Sequence, residues 1–352
     1  MAAAGVAPML VLTGQHSGLL AADHGLAGLP CRELHCGGLD DPMVHARRVA
    51  DALAPQLRHR DFPDMLVVQG DTSSALGGAL AAQREQVALA HIEAGLRSHD
   101  RAMPWPEEGN RISIDEIADL LFAPTPGAAL NLLHERAPGH VHVTGNTGID
   151  ALHATLASLP AAPVRTRRDA GPLELLVTCH RRENWGAGLT SLATALVQLA
   201  AEGSARADVV MHPNPRVTDM MHLLFQGQAG IRLSRPSSHR AMIDRMRRAD
   251  LILSDSGGVQ EEAPALGVPL LVLREKTERP EAVAAGNALL VGTATSTNSA
   301  QVRRLHRDRD ALGAMARPAL PFGDGQSAPR IAALIREWLV ARDRPARLRR
   351  HG

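Results

Sequence analysis

Residues 91 to 111 read HIEAGLRSHDRAMPWPEEGNR and set His91, Glu93, Arg97, Asp100, Glu107, Glu108 and Arg111 around a Pro104-Trp105-Pro106 bend. A solvated, salt-bridged loop would account for the charges alone. The bend argues against it, because proline fixes the local backbone and a bulky apolar neighbour anchors it, so the flanking side chains are held in place. Glu93 and Glu107, with Asp71 after a separate apolar run, are therefore candidate catalytic carboxylates. Carboxylates crowded together and shielded from water keep a proton more readily, which suits them to give and take protons at a carbon centre. Arg111 follows Glu107 by one helical turn, where it can hold a carboxylate or a phosphate. Glu108 is expected to be helix-surface charge.

A second group is built for anions. SDSGGVQEEAPALGVP, residues 254 to 269, joins a buried strand to a helix across Gly257 and Gly258. The glycines permit close backbone approach, and first-turn amides beside the Ser256 hydroxyl can hold phosphate oxygens. Glu262, one turn beyond Gly258, is placed to accept bonds from sugar hydroxyls. HRRENWG, residues 180 to 186, adds His180 and the guanidinium groups of Arg181 and Arg182, a set suited to a diphosphate. Together these residues suggest acid–base chemistry on a phosphorylated sugar or nucleotide, without metal or redox cofactor. A lyase, an epimerase and a glycosyl transferase all fit. No GxGxxG follows a first strand and no GxxxxGK[ST] occurs, so dinucleotide and nucleoside-triphosphatase readings lack their primary signals.

Something must bring these groups to one place. Short apolar runs recur at 8–14, 64–70, 87–91, 173–178, 207–212, 250–255 and 269–273. Segments of helical period, such as PMVHARRVADALAPQL and GLTSLATALVQLAAEG, lie between them. Strand-helix alternation of this kind predicts an α/β fold with parallel sheets covered on both faces and functional residues at the carboxyl ends of the strands. The polar groups fall at those ends: Asp71 after LVVQG, His91 and Glu93 after VALA, His180 after LLVTC, His212 after VVM, and Asp255 to Gly258 after LILS.

LPAAPVRTRRDAGP at 159–172 breaks the composition and reads as an interdomain linker. The expectation is two doubly wound, Rossmann-like domains facing a cleft, residues 1–162 and 163–329, with 330–352 an amphipathic helix packing back on the first. MAAAG reads as the last turn of an Ala-rich helix with Gly5 at its stop. A first strand and most of a helix are therefore expected ahead of it.

Bulk properties narrow the class. A chain of 352 residues is long enough for two cores. Its 38 basic and 37 acidic residues nearly cancel, so neither nucleic acid nor a membrane surface is an expected partner, and the basic terminal tail is expected to be solvated. Cys31, Cys36 and Cys179 lack a zinc spacing, which implies no metal site and fits a reducing compartment. No signal segment is recognisable, so a cytoplasmic location is expected. Tyrosine is absent and aromatics are 2%, which leaves small aliphatic side chains to build the cores.

HIEAGLRSHDRAMPWPEEGNR, HRRENWG, HPNP at 212–215, SDSGGVQEEAP and TERPEA at 277–282 resemble, in order and spacing, the non-hydrolysing UDP-N-acetylglucosamine 2-epimerases. The similarity runs from TGQH at 13–16 to the last helix. It implies the two-domain, glycosyltransferase-B-like fold, a UDP-binding second domain, a cytoplasmic homodimer, no cofactor, and a place in cell-envelope polysaccharide synthesis. The implied reaction interconverts UDP-N-acetylglucosamine and UDP-N-acetylmannosamine: C2 loses its proton, C1 loses UDP, and UDP returns to the 2-acetamidoglucal as C2 is protonated on the other face. By resemblance Asp71, Glu93 and Glu107 serve these proton transfers and His180 lies near the diphosphate. Arg111 and His212 surround the ligand, and Ser256, Gly257, Gly258 and Glu262 contact phosphate and ribose.

Three departures are visible. The family's first strand and GTRPE-like loop, with its arginine and following lysine, have no counterpart here. SRPSSHRAMIDRM at 234–246 puts His239 and Met242 where relatives carry aromatic residues near uracil, and Gly18 stands where many carry a longer polar residue tied to regulation. A hydrolysing sibling that releases UDP and free sugar, and a silent nucleotide-sugar binding protein, are the rival readings.

Overall fold

The computed structural model describes residues 1, 5–15, 26, 28–39, 41–58, 63–161, 171–212 and 214–348. Gly18, Pro213, most of the linker segment and the end of the basic tail lie outside them. The chain divides into two units, Met1–Thr147 with Gly323–Gly352, and Gly148–Phe322.

In the first unit β1 (Leu10–Leu12) pairs in parallel with β2 (Cys31–Glu33). A second parallel sheet runs in the order β3 (Met65–Gln69), β4 (Ala88–Ile92), β5 (Leu120–Ala123) and β6 (His140–Val143). Helices α1 (Pro42–Leu57) and α2 (Ser73–Glu85) start where short polar side chains meet the free amides of a first turn. Asp41 accepts from the amides of Met43 and Val44, and Thr72 from that of Ala75. The two helices touch because Gly77 has no side chain: a Cβ there would lie 2.6 Å from the Ala46 carbonyl oxygen. The remaining helices are α3 (Glu107–Asp115) and α4 (Pro126–His134), and β1 and β3 border a groove of about 670 Å³ lined by Val11, Leu53, Leu66, Val68 and Ala75.

The second unit begins with α5 (Thr147–Ala157). Its strands are β7 (Leu173–Thr178), β8 (Ala205–Val210), β9 (Ile231–Ser234), β10 (Leu251–Ser254), β11 (Leu270–Val272) and β12 (Ala288–Leu290). They form one parallel sheet ordered β12-β11-β10-β7-β8-β9. The chain thus winds outward from β7 in one direction, returns to β10 on the other side of β7, and winds outward again. Helices α6 (Ala187–Ala201), α7 (Pro215–Phe225), α8 (His239–Met246), α9 (Gly257–Leu266), α10 (Pro280–Ala284), α11 (Thr295–Arg307) and α12 (Arg309–Met315) connect the strands and complete the unit.

The boundary between units falls after Thr147, the first residue of α5, and not within 159–172, because Ile149 and Leu152 pack with Leu176, Ile252, Leu270 and Phe322. The return crossing comes at Gly323, whose φ of +121° and lack of a side chain let it lie against Gly145. The last helix, α13 (Ser327–Leu348), sets Ile331 and Ile335 on Ala90, Ile92, Leu120 and Phe122. Among the described residues no helix is long and apolar enough to cross a membrane.

Candidate active site

In the first unit the site grows from two neighbouring strand ends. Val68 is opposite His91 and Gln69 opposite Ile92, so the chain leaving β3 at Gly70 and Asp71 runs beside the chain leaving β4 at Glu93. Gly70 donates its N–H to the Ile92 carbonyl at 3.0 Å, and its φ is +67°. A Cβ on Gly70 would stand 3.0 Å from Oε2 of Glu93. Glu93 itself has φ +75°, a left-handed conformation unusual for a residue with a side chain and costing roughly 1–2 kcal/mol. Such strain persists only where the surroundings impose it. Here the amides of Glu93 and Ala94 both donate to the Phe122 carbonyl, and Glu93 Oε1 accepts from Asn146 Nδ2 at 3.3 Å.

Beneath this turn His91 is fully buried. Its Nε2 donates to the Gly70 carbonyl at 3.0 Å and its Nδ1 to Asp115 at 2.6 Å. Burial pushes the Asp115 carboxyl up, but His91 and Arg97 outweigh it and hold the group below the usual carboxylate range. Asp71 is braced from the other side. Arg111 donates to it through Nε at 3.1 Å and through Nη2, and Asn110 Nδ2 donates to its carbonyl at 2.8 Å.

The Arg111 guanidinium also donates to Glu108 at 2.8 Å. Glu108 is buried, 1% exposed, and accepts the amides of Ser98 and His99, so it pins the bend and is not the surface charge that its helical position predicts. Glu107 opens α3, half-buried, one turn before Arg111.

In the second unit, β7 and β10 are neighbours at the point where the winding reverses, with Thr178 opposite Ser254 and their hydroxyls 2.6 Å apart. The carboxyl ends flanking such a reversal form the usual ligand crevice of an open α/β sheet. His180 and the Ser256–Gly258 turn follow these two strands. Asp255, fully buried, ties them together: it accepts the amides of His180 at 3.0 Å and Arg181 at 2.9 Å, and Nδ2 of Asn184 at 2.8 Å. Burial pushes the neighbouring Cys179 thiol well up and Asp255 adds to it, which leaves that cysteine an inert neutral thiol.

The His180 and His212 rings stand edge to face, 5.0 Å apart, and Trp185 also meets His212 edge to face at 5.4 Å while donating Nε1–H to the His180 carbonyl. His180 donates Nε2–H to the Val210 carbonyl. His212 accepts the Asn214 amide on Nδ1, so its hydrogen is on Nε2. Burial, then the nearby His180, hold His212 below the ordinary imidazole value despite Asp255.

Ser256 caps α9 without bonding the helix through its hydroxyl. The two glycines differ. A Cβ on Gly257 would come within 2.7 Å of Arg279 Nη1, whereas one on Gly258 would meet no protein atom within 4 Å. Below the turn lies a buried ion lattice: Arg279 donates to Glu261 at 2.6 Å and to Glu278, and Arg274 donates to Glu278 at 2.8 Å. Glu262 projects from the next turn of α9 and accepts from His239 Nε2 at 2.8 Å.

The structure gathers Asp71, Glu93, Glu107 and Arg111 in the first unit, and His180, His212, Ser256, Gly257, Gly258 and Glu262 in the second. Arg181 does not stand ready for an anion: it donates Nε–H to the Asp255 carbonyl and lies 3.7 Å from Glu278, while Arg182 is exposed. Sequence reasoning gave no role to Asp255, Arg279 or Asn146. A carboxylate closing the apolar run LILSD is the signal for the first. The others follow only from three-dimensional neighbours.

Two Rossmann-like parallel sheets, each with polar residues at its strand ends, define a two-domain α/β protein of the glycosyltransferase-B kind. A family model described as UDP-N-acetylglucosamine 2-epimerase matches residues 2–336, and the chain belongs to that family. It is 40% identical over 306 residues to the UDP-N-acetylglucosamine 2-epimerase of Salmonella typhimurium, covering 84% of this chain and 81% of that protein. The Escherichia coli K12 enzyme of the same name is 38% identical over 299 residues, 82% of this chain and 79% of its own. Among solved structures, the UDP-GlcNAc 2-epimerase of Neisseria meningitidis bound to UDP-GlcNAc superposes with TM-score 0.83 at 30% identity, covering 94% of this chain and 99% of that one. The Methanocaldococcus jannaschii enzyme in complex with UDP-GlcNAc and UDP gives 0.77 at 30% identity, with 92% and 90% covered.

Proposed function

We propose that this protein catalyses reversible C2 epimerisation of UDP-N-acetylglucosamine to UDP-N-acetylmannosamine, by elimination and re-addition of UDP through 2-acetamidoglucal. The observation that carries this reading is the Gly70 turn, which holds Asp71 and Glu93 on adjacent strand ends with Glu93 in a left-handed conformation. A carboxylate of the Asp71, Glu93 and Glu107 set takes the C2 proton. The C1–O bond breaks with its electron pair leaving on UDP, and C1 and C2 become doubly bonded. On return, a phosphate oxygen of UDP attacks C1 while another carboxylate protonates C2 from the opposite face.

Arg111, engaged by Asp71 and Glu108, acts as a brace for Asp71 and not as a direct ligand for phosphate. In the second unit, which we assign to UDP, the free first-turn amides of α9 beyond Ser256 receive phosphate oxygens, with Gly258 leaving room. His212 offers a neutral Nε2–H to the departing diphosphate, and His180 supports it. These donors stabilise charge as it develops on the leaving group. We also place the protein in the cytoplasm as a homodimer supplying cell-envelope polysaccharide synthesis, a location in keeping with its three free thiols.

The test is solvent deuterium incorporation at sugar C2, measured beside UDP affinity. Glu93→Gln and Glu107→Gln should lower exchange sharply and leave UDP binding within roughly a factor of ten, about 1.4 kcal/mol. Near-wild-type exchange in both variants defeats the proton-transfer assignment. Free UDP accumulating stoichiometrically with free sugar would assign the chain to hydrolysis instead, and UDP binding without any exchange would make it a silent binding protein. Sedimentation showing only monomer at assay concentration removes the dimer.

A further inference from the structure

Glu262 has two carboxylate oxygens in unlike situations. Oε1 accepts from His239 Nε2 at 2.8 Å, whereas Oε2 receives no hydrogen bond from the described residues. The carboxylate is mostly buried, with 13% of the side chain exposed, and His239 is 49% exposed. The two residues come from separate elements: His239 is the first residue of α8, fixed by the Ser238 cap, and Glu262 is on α9, one turn beyond Gly258. A glutamate side chain has three rotatable bonds, so an unheld Glu262 would spread over several rotamers. Pinned by one oxygen, it presents the other as a fixed acceptor.

We propose that His239 is a positioning residue for nucleotide recognition: by holding Oε1 of Glu262 it fixes Oε2 as the acceptor for a ribose hydroxyl. This rests on the reading of Glu262 as the ribose contact. Ordering the carboxylate before the ligand arrives removes that cost from binding. The imidazole pKa is raised, chiefly by this hydrogen bond and then by the Glu262 charge against an opposing effect of burial, as expected for a ring that grips a carboxylate. The 2.8 Å hydrogen bond to Glu262 distinguishes His239 from a ring that merely stacks on a base. A stacking residue would strengthen every uridine nucleotide alike, while a positioning residue acts only where a ribose hydroxyl is present.

Calorimetry with UDP and with 2′,3′-dideoxy-UDP separates the two. In the wild-type protein UDP binds more tightly than the dideoxy compound. His239→Ala is expected to weaken UDP about fivefold, the scale of one immobilised side chain, and to leave the dideoxy affinity unchanged. His239→Gln, which keeps an N–H donor, is expected to restore most of the difference, and His239→Ala in a Glu262→Gln background to add nothing further. Equal weakening of both ligands by His239→Ala, or no change in either, overturns the proposal while Glu262→Gln still collapses the UDP preference. If Glu262→Gln leaves that preference intact, the ribose assignment of Glu262 fails and the role of His239 fails with it.

Discussion

Substituting alanine at Gly70 tests the turn on which the proposed chemistry rests. Two effects add. Alanine at φ +67° costs roughly 1–2 kcal/mol of stability, because its Cβ crowds the following carbonyl. Separately, the new Cβ would lie 3.0 Å from Glu93 Oε2, inside ordinary contact, so something must move by a few tenths of an ångström. The backbone is poorly placed to yield, since the Gly70 N–H is bonded to Ile92 and its carbonyl is held by buried His91. The carboxylate is tied by Asn146 at 3.3 Å, the longer of these bonds, so Glu93 should be what shifts. A misplacement of 1 Å costs on the order of 100-fold, so a few tenths should cost C2 exchange about tenfold or less. The assay is deuterium incorporation at C2 with urea unfolding on the same preparations. In a Glu93→Gln background Gly70→Ala should reproduce the stability loss but add little to the exchange defect. A folded Gly70→Ala protein that exchanges at the wild-type rate refutes the turn as the device that aims Glu93.

Three further outcomes are expected. Gly257→Ala should destabilise the protein by driving a methyl toward Arg279, whereas Gly258→Ala should melt as wild type yet bind UDP more weakly, as thermal unfolding and calorimetry will show. Asp255→Ala strands the amides of His180 and Arg181 and leaves Nδ2 of Asn184 with the Leu273 carbonyl alone, and should lower unfolding stability by on the order of 3 kcal/mol or more while weakening UDP binding. The depressed His212 pKa means the unfolded chain binds its proton first: the stabilisation is full above the ordinary value of 6.5 and is lost as pH falls through the folded value. His212→Gln should flatten that acid-side decline in urea-unfolding profiles.

The alternation of apolar runs with helical periods was enough to predict two parallel doubly wound sheets, and central strands such as β4, β7 and β10 lie in those runs. The strands it did not mark are mostly edges. β6 reads HVHV, β9 reads IRLS, and β2 reads CRE with every residue exposed, so partial solvation erased the apolar signal. β5 is fully buried but only four residues long, beginning five positions after α3 ends, and merges with it in any helical window. Side-chain types at strand ends placed the candidate residues, since parallel topology sends all those ends one way. Which of them face ligand and which face each other was not legible. Arg111 and Arg181 are spent on Asp71 and on the Asp255 carbonyl, partners 40 and 74 residues away.

The ion lattice under α9 limits how this segment can change by inheritance. Glu278 accepts from both Arg274 and Arg279, and all three are buried. A single replacement of Glu278 by an uncharged residue would take from buried Arg274 its 2.8 Å partner and leave Arg279 with Glu261, at about 3–5 kcal/mol for a broken buried pair, a large part of a typical protein's whole stability. Replacing the whole set with apolar residues of similar volume would be tolerated far better. An intermediate that keeps a buried guanidinium without its carboxylate is therefore less stable than either end. Arg274, Glu278 and Arg279 thus form one unit, in which a change at one member alters what the other two tolerate.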